Sequence, residues 1–299
     1  MVYRIGIVGS DNSHAIIFSQ IANGVSNENY VPGFKVTHLF GLDDKRNKEV
    51  AEKGKIENIV SDINEMIGKI DIAFIEFRHG GLHLEYAKSF IENKVPVFVD
   101  KPIAATTSDA RKLIQLAKEN QVPFTSFSTL RFTNVVQELK KIFEKEDPVF
   151  LSVLGPGDMQ SEYGGLIFYG IHCTEIFNEI SGTGVKEVSS VRKNGNIVAT
   201  LLHEKLIGSI KIAPEMPYLF SVEGLTKKSY FSNKVDLESC YKNGMIKIKE
   251  MLDKKQWILS ENEMFEPVAV VKAIEESILS RKSSTPMVKL TEARTELPT

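Results

Sequence analysis

The chain has 299 residues, 42% hydrophobic and 25% charged, a length that points to two domains and a composition ordinary for a globular protein. Lys and Arg number 37 against 39 Asp and Glu, a net charge of −2, which gives no overall reason to bind nucleic acid or an anionic membrane surface. Cys173 and Cys240 match no zinc or redox spacing, no run approaches the ~18 apolar residues of a membrane span, and MVYRIGIVGS enters a strand pattern without a cleavable signal, so a cytoplasmic protein is expected.

Over the first part of the chain, short β-branched runs alternate with amphipathic ones. Strands are predicted at Tyr3–Val8, Lys35–Phe40, Ile59–Ser61, Ile72–Phe77, Val97–Val99 and Phe124–Phe127. Helices are predicted at Ser13–Asn23, Lys45–Glu52, Ile63–Ile67, Leu82–Asn93 and Ser108–Asn120. The strand runs are continuously apolar, as when helices cover both faces of a parallel sheet. The expected fold class is therefore α/β, with a Rossmann doubly wound parallel sheet over 1–122. Residues 123–299 read as an α+β domain with an open, mainly antiparallel sheet. It opens with a helix at Phe132–Glu146, turns a hairpin at Asn194-Gly195 between Val185–Arg192 and Ile197–Leu202, and adds a strand at Ile210–Ile212. A helix at Pro267–Ser280 and an exposed tail from about Lys282 complete it. The Lys/Glu runs at 138–146 and 245–255 read as solvated faces. Trp257 and Tyr218-Leu219-Phe220 read as sheet-face packing.

Three places carry candidate chemistry. The turn after the first strand, Gly9-Ser10-Asp11-Asn12-Ser13-His14, stands where a helix N-terminus with free amides attracts a pyrophosphate. Gly9 takes the tight-turn position, but Asp11 takes that of the second glycine, and the third falls near Ser13 or His14. A carboxylate there repels a pyrophosphate unless it turns away to cap the helix. A well-capped first helix is the plainer reading. After the second strand, Asp43 is placed to accept from ribose hydroxyls and to disfavour a 2′-phosphate, favouring NAD over NADP; a helix cap is the alternative. The fifth strand ends in Asp100-Lys101-Pro102 at the sheet's carboxyl edge, where open α/β folds bind ligands. Lys101 would share a proton with a substrate hydroxyl if its pKa is lowered, with Asp100 and Pro102 fixing its direction.

Asp100-Lys101-Pro102-Ile103-Ala104 resembles the Glu-Lys-Pro motif of the Gfo/Idh/MocA oxidoreductases, with Asp for Glu. Asp71-Ile72-Ala73, His83 with the following helix, and Leu130-Arg131-Phe132 match that family's neighbouring segments, and Pro286-Met287-Val288 resembles its closing one. The resemblance implies a Rossmann domain, an open-sheet second domain, a nicotinamide cofactor and a sugar or polyol substrate. The family often carries Asp-x-Gly-x-His in the second domain. Here Gly170-Ile171-His172 keeps the histidine, whereas Phe168 replaces the aspartate. The Pro-Asn usual ahead of His83 becomes Arg78-His79-Gly80-Gly81. The set, with Glu76 and Ser126-Phe127-Ser128, is similar to a branch of the family in which an Asp-x-Ser-His turn replaces the glycine-rich one.

The leading expectation is an NAD(H)-dependent oxidoreductase of a small hydroxy compound. Gly9, Ser10, Asp11, Asn12, Ser13, His14, Asp43, Asp100, Lys101 and Pro102 would surround the cofactor. Lys101 and His172 would act as acid–base groups with Glu175 orienting His172. His83, Arg131 and His172 would meet the substrate, Arg131 through an anionic group. No metal site is expected, since His14, His79, His83, His172, Asp11, Glu76 and Glu175 have no diagnostic spacing. Two other readings stay open: a ligand-binding or sensor protein that has lost hydride chemistry, favoured by Asp11 and Phe168, and a lyase or hydrolase with retained NAD. An uncovered sheet face would make the chain a homodimer or homotetramer.

Overall fold

The computed structural model describes residues 2–25 and 29–280; the expected tail and Pro286-Met287-Val288 lie outside them. Two six-stranded sheets organise the chain. The first is built from β1 (Tyr3–Val8), β2 (Phe34–Phe40), β3 (Asn58–Ile59), β4 (Ile72–Ile75), β5 (Val97–Asp100) and β6 (Phe124–Phe127), in the order β3-β2-β1-β4-β5-β6. Every pairing in it is parallel. β4, β5 and β6 are buried along their whole length, the two-sided burial that their unbroken apolar runs predict. Helices α1 (His14–Ala22), α2 (Asp44–Gly54), α3 (His83–Glu92) and α4 (Thr107–Glu119) make the crossovers. The strand order reverses between β1 and β4, so the carboxyl ends of β1, β4 and β5 open onto one crevice.

A short 310 turn, Thr129–Phe132, leads from β6 into α5 (Asn134–Lys145). The expected helix from Phe132 therefore begins later, because Thr133 is extended. The second sheet contains β7 (Pro148–Pro156), β8 (Val185–Lys193), β9 (Asn196–His203), β10 (Ile207–Ala213), β11 (Ser221–Thr226) and β12 (Tyr230–Lys234), in the order β12-β11-β7-β10-β9-β8. Only the central β7–β10 pair is parallel. Asn194 and Gly195 both have positive φ at the β8–β9 hairpin, which is what an Asn-Gly turn supplies.

Helix α6 (Ile167–Ser181) joins β7 to β8 and is buried at every position but Tyr169. α7 (Cys240–Lys254) and α8 (Glu261–Ser280) follow the sheet. The Lys/Glu run at 245–255 thus belongs to an amphipathic helix whose inner face is Cys240, Gly244, Met245, Ile248, Met251 and Leu252, and the expectation of a solvated face holds for its other side only. Trp257 is not in a strand. It follows α7, stacks on Phe124 at 5.6 Å and donates Nε1 to the Val122 carbonyl at 2.8 Å, fastening the end of α7 to β6. No described helix is long and apolar enough to cross a membrane.

Candidate active site

The turn after β1 is shaped by close approach. Gly9 has φ +113°, and a Cβ there would stand 2.5 Å from the Phe77 amide nitrogen, so only glycine lets the turn lie against the end of β4. Asn12 accepts from the His14 amide at 3.2 Å and opens α1, while Ser13 makes no capping bond. Both Asp11 oxygens accept from the Arg78 amide, at 3.3 and 3.2 Å, tying the turn to the loop after β4. Arg46 of α2 donates Nε to the Ser10 carbonyl at 2.9 Å. Asp43 caps α2 by accepting from the Arg46 amide at 2.8 Å; it is exposed at the end of β2.

At the end of β5, buried Asp100 gathers this turn. Its Oδ2 meets His14 Nδ1 at 2.7 Å and accepts from Asn12 Nδ2 at 3.1 Å. Burial opposes ionisation of Asp100, but the neighbouring His14 and Lys101 outweigh it and hold the carboxyl below its ordinary range. The Lys101–Pro102 peptide is cis. Lys101 is 4% exposed, with Nζ 4.7 Å from the Phe168 ring centroid, 5.5 Å from that of Tyr169 and 3.5 Å from the Phe168 carbonyl oxygen. Burial lowers its pKa, Asp100 and Glu175 oppose that, and Arg78 adds to it. A cavity of about 460 Å³ is lined by Asn12, Ser13, His14, Arg78 and Lys101 together with Tyr163, Phe168, Tyr169, Tyr218 and Tyr241. A neighbouring cavity of about 570 Å³ shares Tyr163, Phe168, Tyr169 and Tyr218 and runs along Asp158–Glu162.

Deeper in, α6 carries His172 and Glu175. His172 lies in the second turn of the helix rather than at its start. Its Nδ1 is 2.7 Å from Ser128 Oγ, and its buried Nε2 has no partner among the described residues. Burial first, then Lys101 and His14, push its pKa well below the ordinary value, so the ring is neutral near neutral pH. Glu175 does not orient it. One oxygen of Glu175 instead accepts from the Ser128 amide and from Arg131 Nε, both at 2.6 Å. Arg131 in turn donates Nη1 to Glu179 at 3.1 Å and Nη2 to Asn178 Oδ1 and the Glu263 carbonyl at 3.1 and 2.9 Å. With the guanidinium 1% exposed and so engaged, Arg131 is not available to a ligand anion.

His83 is likewise spent on structure. Fully buried, it bridges the Pro102 and Phe77 carbonyls at 2.8 Å each, joining the loops after β5 and β4. His79 accepts from the Gly81 amide at 3.0 Å. Among the described residues no group of three His, Cys, Asp or Glu side chains is arranged to hold a metal ion. Glu76, in the crevice at the end of β4, is fully buried with neither oxygen bonded.

The structure thus brings Asn12, Ser13, His14 and Lys101 to one cavity, places His172 behind it, and leaves His83, Arg131 and Glu175 outside. Sequence reasoning missed Arg78 and the tyrosines as lining residues. Tyr218 was taken for sheet packing, whereas it stands before β11 and faces the cavity, edge-on to Tyr169 at 5.9 Å. Tyr241 comes from α7, 5.0 Å from the His14 ring; the three- and four-residue spacing of apolar residues from Cys240 to Leu252 was the available signal.

Residues 3–128 match the Gfo/Idh/MocA family described as an oxidoreductase family with an NAD-binding Rossmann fold. The chain is 29% identical over 110 residues to the uncharacterised oxidoreductase YhhX of Escherichia coli, covering 36% of this chain and 32% of that protein. It is 25% identical over 132 residues to inositol 2-dehydrogenase of Acidothermus cellulolyticus, covering 43% of this chain and 36% of that protein. The aligned stretches span about a third of these relatives' length. Among solved structures, myo-inositol dehydrogenase of Lactobacillus casei, in complex with NAD(H) and myo-inositol, superposes with a TM-score of 0.78 at 13% identity, covering 96% of this chain and 99% of that one. That likeness extends the shared fold through the second sheet. Through its Rossmann part, the chain is similar to the Gfo/Idh/MocA oxidoreductases.

Proposed function

We propose that the protein is an NAD(H)-dependent oxidoreductase that moves a hydride between nicotinamide and the carbinol carbon of a small hydroxy compound. The observation that carries this reading is Lys101, a nearly inaccessible lysine without an ion pair among the described residues, set at the carboxyl edge of the parallel sheet in a cavity lined with tyrosines.

The residues present fit a dinucleotide. Gly9 gives the backbone its close approach, and Asp11, the one misplaced charge, is drawn onto the Arg78 amide. Gly9, Ser10, Asn12 and Ser13 would hold the pyrophosphate, and the exposed Asp43, which keeps one oxygen beyond its cap bond, the adenosine ribose. When bound, nicotinamide supplies the hydride acceptor or donor. Lys101 holds the reacting oxygen and shares the hydroxyl proton, a task toward which burial lowers its pKa. Asp100 holds the His14 ring through Nδ1 and leaves Nε2 as its second nitrogen. His172 presents Nε2 from behind, while Glu175 acts on it only through Ser128. NAD is favoured over NADP because a 2′-phosphate would meet Asp43.

Because β6 pairs with β5, we place the passage between the two domains after Phe127 rather than after 122. Phe150, Val198, Leu202, Ile207 and Leu225 are 37% to 48% exposed on strands of the second sheet, and this apolar patch favours a homodimer or homotetramer. A specific observation favours the rival reading of a ligand-binding protein without hydride chemistry: Phe168 covers Lys101 where a carboxylate is usual in the family. Titration with NADH and NADPH, followed by fluorescence, decides between them. Saturable binding with NADH the tighter is expected, and no binding of either at millimolar concentration overturns the oxidoreductase reading; light scattering on the same sample is expected to give a mass above one chain.

A further inference from the structure

Among the ten residues lining the 460 Å³ cavity there is no Asp or Glu, yet Arg78 and Lys101 both reach it. Two acids beside it already have partners, and Glu76, whose oxygens have none among the described residues, is held toward its uncharged form by burial. Asp11 is bonded to the Arg78 backbone amide, not to its guanidinium. Asp100 is bonded to His14 and Asn12. Lys101 has only aromatic faces and a carbonyl oxygen at 3.5 Å around its ammonium. Two cations that share a partly enclosed cavity repel each other and lack the anion that such a site ordinarily contains.

The guanidinium is held in place rather than free. It lies over the Tyr163 ring, 5.0 Å from the centroid, and donates Nη1 to Tyr163 Oη at 3.1 Å. Among the described residues Nε and Nη2 have no protein acceptor, so one edge of a planar, pre-oriented fork stays open. Such a fork matches a carboxylate. A neutral polyol would leave it unanswered.

We propose that the cavity takes a hydroxy acid or sugar acid, with Arg78 binding the carboxylate and Lys101 the hydroxyl, and the tyrosine hydroxyls meeting further hydroxyl groups. The carboxylate supplies the negative charge that the cavity lining lacks. Lys101 then works beside an anion that offsets Arg78. The inference rests on the oxidoreductase reading only in calling the ligand a substrate; the binding itself needs no cofactor.

The test compares D-gluconate with D-glucitol, which differ in the carboxylate, by calorimetry on the full chain without nucleotide. Gluconate is expected to bind about tenfold tighter or more, the worth of a charge-assisted pair of hydrogen bonds. Arg78→Met should abolish that preference, and Arg78→Lys should keep part of it, since it retains the charge and loses the fork. An unchanged thermal midpoint shows that each variant is folded. Equal binding of the two probes, or no binding of gluconate, overturns the proposal. So does a loss of NADH affinity in Arg78→Met with the gluconate preference intact, because the anion would then be the cofactor's pyrophosphate. If neither nucleotide binds but the preference for gluconate stands, the acid site survives and only the oxidoreductase reading fails.

Discussion

Two buried carboxylate systems flank the same cavity and use their charge in opposite ways. At the end of β5, Asp100 spends its hydrogen bonds on His14 and Asn12, two groups that reach the cavity. On α6, Glu175 and Glu179 spend theirs on Arg131, which reaches nothing but protein. Both arrangements bury ions, and each carboxylate is bonded through at least one oxygen, although Asp100 Oδ1 has no hydrogen-bond partner among the described residues. The first aims polar atoms at a ligand and the second locks the start of α5 against α6. A titratable residue near a cleft is therefore assigned a chemical role by where its partners point rather than by its type.

The comparison breaks most visibly at Lys101. Lys101→Ala is expected to lower turnover about 10²- to 10⁴-fold, the usual worth of a proton-transferring group, with NADH affinity nearly unchanged. Steady-state rates beside a fluorescence titration check it, and unchanged turnover would remove Lys101 from the mechanism. Arg131→Ala, on the other side, should cost about 3–5 kcal/mol of stability, because it leaves Glu175 buried without its cation and Glu179 with Lys140 alone. Denaturant midpoints at fixed pH measure this. A loss below about 1 kcal/mol would mean that the arginine network is no more than a surface-type pair.

The first region was largely legible in the sequence and the second was not. The apolar run Val97–Val99 ahead of Asp100-Lys101-Pro102 fixed Lys101 at a strand end, and strand ends in a parallel sheet gather at one edge. The bond between His14 and Asp100 spans 86 positions, and nothing local predicts it. Arg131 was read as open to an anion because its partners lie 44 to 132 residues away, and one of them is a backbone carbonyl. α6 hides itself: buried on all sides, it lacks the 3.6-residue alternation that marks a surface helix. Glu175 therefore looked like the group that orients His172, until Ser128 was seen between them.

Glu76 sharpens the contrast within the first region. It lies at the end of β4, fully buried, with neither oxygen bonded, and it feels the negative charges of Asp100 and Asp11. Burial, reinforced by those two acids, raises its pKa well above the ordinary value, whereas Asp100 is held low by His14 and Lys101 against the same burial. The two neighbouring carboxyls are thus pushed apart, Glu76 toward its protonated form and Asp100 toward its ionised one. Because the folded state holds the Glu76 proton more tightly than the unfolded chain, stability falls as pH rises from about 4.3, the unfolded value, and levels only above the folded pKa. Glu76→Gln keeps the shape and cannot ionise. Its thermal midpoint, relative to the natural chain, is expected to rise as the pH climbs above the unfolded value, and differencing the two proteins removes the titrations that do not involve Glu76. A flat difference would mean that Glu76 ionises as easily in the fold as outside it, and that the crevice beside Asp100 is wetter than its burial implies.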